Sequence, residues 1–219
     1  MNKTDIQLKH EIEEELLWDP TVNAAQIGVS VDHGAVSLLG AVDTYAEKWA
    51  AEDATKRVNG VRTVAQDLTV KILSEHTRND PEIAAAVQHA LKWNVYIPTS
   101  VTAKVHLGTV TLEGEVTWNF QRATAERAIR YLRGVVGVHN TITIKPQTSA
   151  SEVRERVLAA LQRHASEDAK SIQVETSGGT VTLSGCASSW QTIEDATNAA
   201  WAASGVTQVI DQVKMSITH

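Results

Sequence analysis

The sequence predicts an α+β protein made of three tandem αββαβ modules, each a three-stranded mixed sheet with two helices on one face. Three observations lead there. The pattern V-x-L-x-G occurs three times, at Val36–Gly40, Val110–Gly114 and Val181–Gly185. A Gly-Val pair follows each at the same interval: Gly60-Val61, Gly134-Val135 and Gly205-Val206. Strand-like alternation precedes each pattern, and paired alanines at helical spacing follow it. One unit written out three times is a repeat architecture. It divides the chain into 1–74, 75–147 and 148–219.

Each unit opens on a helix. In the first it runs from Asp5 to Trp18, apolar at Ile6, Leu8, Ile12, Leu16 and Leu17, and Asp19-Pro20 ends it. In the second, Asp80-Pro81 starts a stripe of Ile83, Val87 and Leu91, with proline at the first helical position. In the third, Ser151 starts a run through Val153, Val157, Leu158 and Leu161. The next segments alternate with period two, giving strands with one buried face: Ile27, Val29, Val31; Val101, Ala103, Val105; Ile172, Val174, Thr176. Tight turns containing Gly34, Gly108 and Gly178-Gly179 lead into the V-x-L strands. A second helix then starts after an N-cap at Asp43, Thr117 or Ser188, residue types that accept bonds from free helical N–H groups. Its alanine pairs, Ala51/Ala54, Ala125/Ala128 and Ala196/Ala199, lie on one face and let it pack close to the sheet. Gly60, Gly134 and Gly205 are read as its left-handed C-terminal caps. A last strand completes the unit, reached by a crossover long enough to be right-handed. The sheet's other face is left for a neighbouring unit. Ser74–Asn79 and Pro146–Ala150 serve as short linkers.

Charge is uneven along the chain. Lysines and arginines less acids give 7 − 12 = −5 for residues 1–74, 8 − 6 = +2 for 75–147, and 5 − 8 = −3 for 148–219. The overall balance of −6 argues against nucleic acid, which selects a basic footprint. Cys186 is the single cysteine, so no intrachain disulfide forms. No stretch is long and apolar enough to span a bilayer. Residues 1–9 lack the apolar core of a signal peptide, which reads as cytoplasmic, or periplasmic if a leader has been removed.

The joint spacing of Asp19-Pro20, Ile27-x-Val29, Gly34-x-Val36-x-Leu38-x-Gly40, the paired alanines, Gly60-Val61 and Val64 resembles the BON domain, named for bacterial osmotically inducible protein Y and nodulation proteins. The matching residues of the other copies, Gly108, Gly114, Gly134, Gly179, Gly185 and Gly205 among them, extend the resemblance over nearly the whole chain. It implies the αββαβ fold, a role in osmotic stress or envelope integrity, and phospholipid or protein as ligand. A potassium-binding relative makes a cytoplasmic, potassium-responsive protein the alternative. No unit carries a recognisable reaction centre, so neither catalysis nor a cofactor is expected; weak self-association is a further expectation.

Residues of the binding type concentrate in the second unit. Trp93 beside Lys92 has the character of an interfacial anchor, and Arg122, Arg127, Arg130 and Arg133 crowd its second helix. Trp18 is the counterpart of Trp93 in the first unit. Packing against the core is the commoner fate of such rings, because aromatics bury large area; exposure decides between the two readings. Tyr45, Trp118 and Trp190, near the starts of the second helices, are expected at a sheet edge or between units, and Trp49 and Trp201 between units. The acidic run Glu11, Glu13, Glu14, Glu15 reads as a solvated helix face. The histidines show no H-E-x-x-H spacing, and no metal site is expected.

Overall fold

The structure is a computed structural model and describes residues 3–72, 77–145, 171–177, 179–187, 189–203 and 205–215. The first unit runs α1 (Asp5–Trp18), β1 (Ile27–Asp32), β2 (Ala35–Val42), α2 (Tyr45–Arg57) and β3 (Thr63–Val70). The second runs α3 (Asp80–Trp93), β4 (Thr102–His106), β5 (Thr109–Glu113), β6 (Glu115–Val116), α4 (Asn119–Arg130), β7 (Gly137–Asn140) and β8 (Thr143–Ile144). The third shows β9 (Ile172–Ser177), β10 (Thr180–Ala187), α5 (Trp190–Trp201) and β11 (Gln208–Met215). The helix expected over Ser151–Leu161, the linker at Pro146–Ala150, Gly178 and Ser188 lie outside the described residues.

Each V-x-L strand is the middle of its sheet, antiparallel to the strand before it and parallel to the one after. The parallel register is the same in all three units: Ala35 pairs Thr63, Thr109 pairs Gly137 and Thr180 pairs Gln208. In the second unit the middle strand breaks at Gly114, yet β6 and β8 carry the same pairing onward. All three units make the same close approach at this glycine. A Cβ on Gly40, Gly114 or Gly185 would lie 2.0, 2.3 or 2.1 Å from the carbonyl oxygen of Gln26, Ser100 or Ser171. Their φ angles, 128°, 132° and 116°, also exclude ordinary side chains.

The core lies between sheet and helices. Leu8, Ile12 and Leu16 of α1 meet Val36 and Leu38 of β2 and Ala51 and Ala54 of α2. Ile83, Val87, Leu91, Val110, Leu112, Ala125 and Ile129 repeat the arrangement, and Val181, Leu183, Ala196 and Ala199 repeat it again. Ala128 is only half-buried, so the alanine face turns slightly in α4.

Three expectations are corrected. The N-cap of each second helix sits one residue later, at Thr44, Trp118 and Ser189. Thr44 Oγ1 accepts the Glu47 N–H at 3.0 Å, and the Asp43 N–H donates instead to the buried Glu47 carboxylate at 2.9 Å. Gly60, Gly134 and Gly205 are not helix caps: the helices stop at Arg57, Arg130 and Trp201. The glycines sit in a following turn, where Val61, Val135 and Val206 donate to Val58, Leu132 and Ala203. Their positive φ is what the third position of such a turn demands. Among the described residues, the open sheet face of the first unit is not covered by a neighbour. Ser30, Leu39, Ala65 and Asp67 on it are exposed.

Contacts between units run through the second helices instead. Tyr45 of α2 packs on the core of the second unit, and Trp190 of α5 on the core of the first. Trp201 lies against the cores of both the second and third units. Together these head-to-tail contacts close the three units into a cycle.

Candidate functional site

Trp18 and Trp93 end α1 and α3, and neither packs on the core. They are 84% and 75% exposed. The helices beneath them superpose in sequence: Leu8, Ile12 and Leu16 match Ile83, Val87 and Leu91, all buried. That register leaves the tryptophan on the opposite, solvent side in both units. The helix starts are equivalent too. The Asp5 carboxylate accepts the N–H groups of His33 at 2.9 Å and Gly34 at 3.3 Å. Asp80 does the same for Leu107 at 2.8 Å and Gly108 at 2.9 Å. The bond from Gly108 first, and that from Leu107 second, holds the Asp80 carboxyl below the usual carboxylate range. Asp5, Asp32 and His33 lie close enough to hold a metal ion. In the second unit Asp80 clamps the equivalent turn with His106 at the position of Asp32 and Leu107 at that of His33, so the clamp forms without a triad of ligands, and Asp5 is read as the same turn clamp.

A groove of about 720 Å³ runs beside Trp18, lined by Glu11, Glu14, Glu15, Leu17, Arg57, Val58 and Asn59. Arg57 is held there by Glu15 at 3.0 Å, Asp19 at 2.9 Å and Asp53 at 2.9 Å. The Asp19 carboxyl is held low, first by the Thr21 hydroxyl, then by the Thr21 N–H, then by Arg57. Arg57 is correspondingly raised, chiefly by its bond to Asp19.

The second unit rewrites this surface. At the positions of Glu11, Glu14, Glu15 and Leu17 stand Ala86, His89, Ala90 and Lys92; at those of Asp53, Arg57 and Asn59 stand Arg127, Tyr131 and Arg133. Lys92, Arg127, Tyr131 and Arg133 are exposed. The His89 ring lies 5.5 Å from Trp93, and exposed Tyr96 meets exposed Phe120 edge-on at 5.9 Å. Trp93, Val95, Tyr96 and Phe120 thus give a basic unit four exposed apolar side chains.

Arg122 and Arg130 do not belong to that exposed surface. Arg130 is buried, its guanidinium 3.8 Å above the ring of Trp49 in the first unit, with Glu126 at 3.4 Å. Arg122 lies 5.6 Å from the ring of Trp201 in the third unit. Both make cation–π contacts between units; the buried Arg130 needs such compensation, and the half-buried Arg122 makes the longer contact. The two indoles were legible as inter-unit residues; their arginine partners were not, because a helix read alone shows no neighbour.

The model of the BON domain matches residues 4–72, 79–146 and 149–216. The chain belongs to the BON domain family. It is similar to osmotically-inducible protein Y of Escherichia coli (strain K12), 37% identical over 67 residues, which is 31% of this chain and 33% of that protein. The match thus spans about a third of the relative's length. Among solved structures it is similar to CdsD, a structural protein of the type III secretion system of Chlamydia trachomatis. That likeness has 14% identity, a TM-score of 0.28, and coverage of 96% of this chain and 92% of that one. The periplasmic domain of PrgH from S. typhimurium follows at 11% identity and a TM-score of 0.23, covering 87% and 100%. Such low scores carry no argument.

Within this BON protein a second cleft, of about 790 Å³, separates α2 from α5, with Trp49, Lys56, Trp190, Glu194 and Asp211 in its walls. It is the seam that joins the first unit to the third. No helix among the described residues is long and apolar enough to cross a membrane.

Proposed function

We propose that this BON protein is a non-enzymatic binder that attaches to anionic phospholipid surfaces through its second unit. One observation carries the reading: Trp93 is exposed on the one unit with a positive balance, next to Lys92. An indole favours the membrane–water boundary, and exposed apolar clusters of this kind mark interaction surfaces. Three exposed cations, Lys92, Arg127 and Arg133, flank it by position; each contributes about 1 kcal/mol near an anionic bilayer. Cytoplasmic residence belongs to the same proposal, and fractionation of the cells that make the protein tests it.

Co-sedimentation of the full chain with vesicles tests the lipid reading. Binding is expected on phosphatidylglycerol vesicles at low salt, with loss on neutral vesicles and at high salt. Trp93→Ala and Lys92→Glu should each reduce it by about tenfold, and Trp18→Ala should not. Absence of pelleting at low salt removes the lipid reading and leaves a protein or an ion such as potassium as ligand.

A further inference from the structure

The groove beside Trp18 is unsuited to an anionic membrane, yet it is more exposed than its counterpart. Leu17 and Trp18 are 74% and 84% exposed side by side. An apolar pair this open, at the end of a helix whose core face is fully occupied by Leu8, Ile12 and Leu16, stabilises nothing within the unit. Carboxylates surround it. Glu11, Glu14 and Glu15 line the groove with Arg57, and Lys3 reaches its edge to pair with Glu11 and donate to the Asn59 carbonyl at 2.9 Å. That arginine is already engaged by Glu15, Asp19 and Asp53. Glu14 has only His10 opposite it, at 3.4 Å on an open surface. The first unit as a whole carries 7 − 12 = −5.

We propose that this groove docks a cationic amphipathic segment of a partner protein. An apolar side chain of the segment packs against Leu17 and Trp18, and its lysines or arginines face Glu14, which has no lysine or arginine partner among the described residues, and compete with Lys3 for Glu11. Charge selects the occupant: carboxylates repel a phosphate headgroup and attract a basic peptide. The apolar pair excludes purely electrostatic partners, since it is satisfied only by burial. Tryptophan is among the residue types most enriched at interface anchors, and here it lines the groove while largely exposed. The proposal is independent of the lipid reading, which rests on the second unit.

Fluorescence anisotropy of a labelled amphipathic helical peptide of lysine and leucine, titrated with the full chain, tests it. Saturable binding is expected. Trp18→Ala should weaken it by about tenfold or more, the loss that truncating a central interfacial tryptophan brings. Glu11→Gln with Glu14→Gln should weaken it and flatten its salt dependence. Trp93→Ala should leave it unchanged. A peptide of lysine and serine with equal charge should bind about tenfold more weakly, for want of an apolar face. Because Trp18 and Glu14 support no core contact and the Lys3–Glu11 pair that Glu11→Gln weakens lies at the surface, near-unchanged thermal melting is expected for all variants. Equal affinity for the two peptides, an unaltered Trp18→Ala, or no binding at all overturns the proposal. So does loss of vesicle binding in Trp18→Ala, which would assign the groove to the membrane.

Discussion

Trp18 and Trp93 occupy the same place on the same scaffold and face opposite chemical surroundings. Beneath each lies the same buried triplet, and at the far end of each helix an aspartate clamps a hairpin turn. Around Trp18 stand Glu11, Glu14 and Glu15 with Leu17; around Trp93 stand Ala86, His89 and Ala90 with Lys92. The buried positions are set by packing, which both units must satisfy in the same way. The exposed positions carry no such demand and have diverged in sign. The two units therefore share one frame with two surfaces, and the binding proposals rest on the positions where they differ.

The largest expected effect tests the shared frame. Gly40→Ala and Gly114→Ala each place a Cβ against a backbone carbonyl that has no room to give, at a φ unfavourable to alanine. Each should cost more than about 3 kcal/mol, the range of diagnostic backbone defects. Chemical denaturation measures it. A large loss in one unit and a negligible one in the other would break the equivalence of the frames.

A smaller effect tests the divergent surfaces. Replacing Glu11 by Ala, Glu14 by His, Glu15 by Ala and Leu17 by Lys rewrites the Trp18 end as the Trp93 end. The four changes remove three carboxylates and add one ammonium. At about 1 kcal/mol per basic residue near an anionic bilayer, partitioning onto phosphatidylglycerol vesicles should rise by at least about tenfold. The lysine–leucine peptide should lose affinity in the same variant. Unchanged vesicle binding would mean that charge around the tryptophan does not decide the ligand.

The sequence made the frame legible because its constraints are local and repeated. Gly40, Gly114 and Gly185 answer to backbone geometry, and V-x-L alternation to the pleat, so both recur in register. Helix boundaries were less legible. Asp43 and Thr44 are both competent caps, and only the buried Glu47, which bonds the Asp43 N–H, decides for Thr44. The candidate site was legible in part. Trp93 and Lys92 stood out by type, but exposure of the indoles depends on what the fold leaves uncovered. Arg122 and Arg130 share a crowded helix with Arg127 and Arg133 in sequence. Only the cyclic closure of the units, invisible to any single repeat, sends the first pair onto Trp201 and Trp49. The open sheet face of the first unit stayed bare for the same reason: the second helices supply contacts between units.

The smallest expected effect sharpens the comparison at the hairpin turns. The first turn has His33 at φ 50° and the second has Leu107 at φ 48°, each followed by a glycine at positive φ. Both are two-residue turns of the type that matches strand twist and favours Asn-Gly. Histidine visits this left-handed region more readily than most residues, whereas leucine has no polar group to offset the cost. Leu107 is also exposed, so it gains nothing from burial in compensation. Leu107→Asn should therefore stabilise the second unit by roughly 0.5–1 kcal/mol, mainly by relieving the strained φ. His33→Asn should change stability by less than about 0.5 kcal/mol, as expected of a tolerated surface change. The Asp80 clamp bonds only backbone N–H groups at the turn and should survive the substitution intact. Thermal melting of the two variants beside the parent protein measures the difference, and a stabilisation of equal size in both would show that the residue type at this position does not matter.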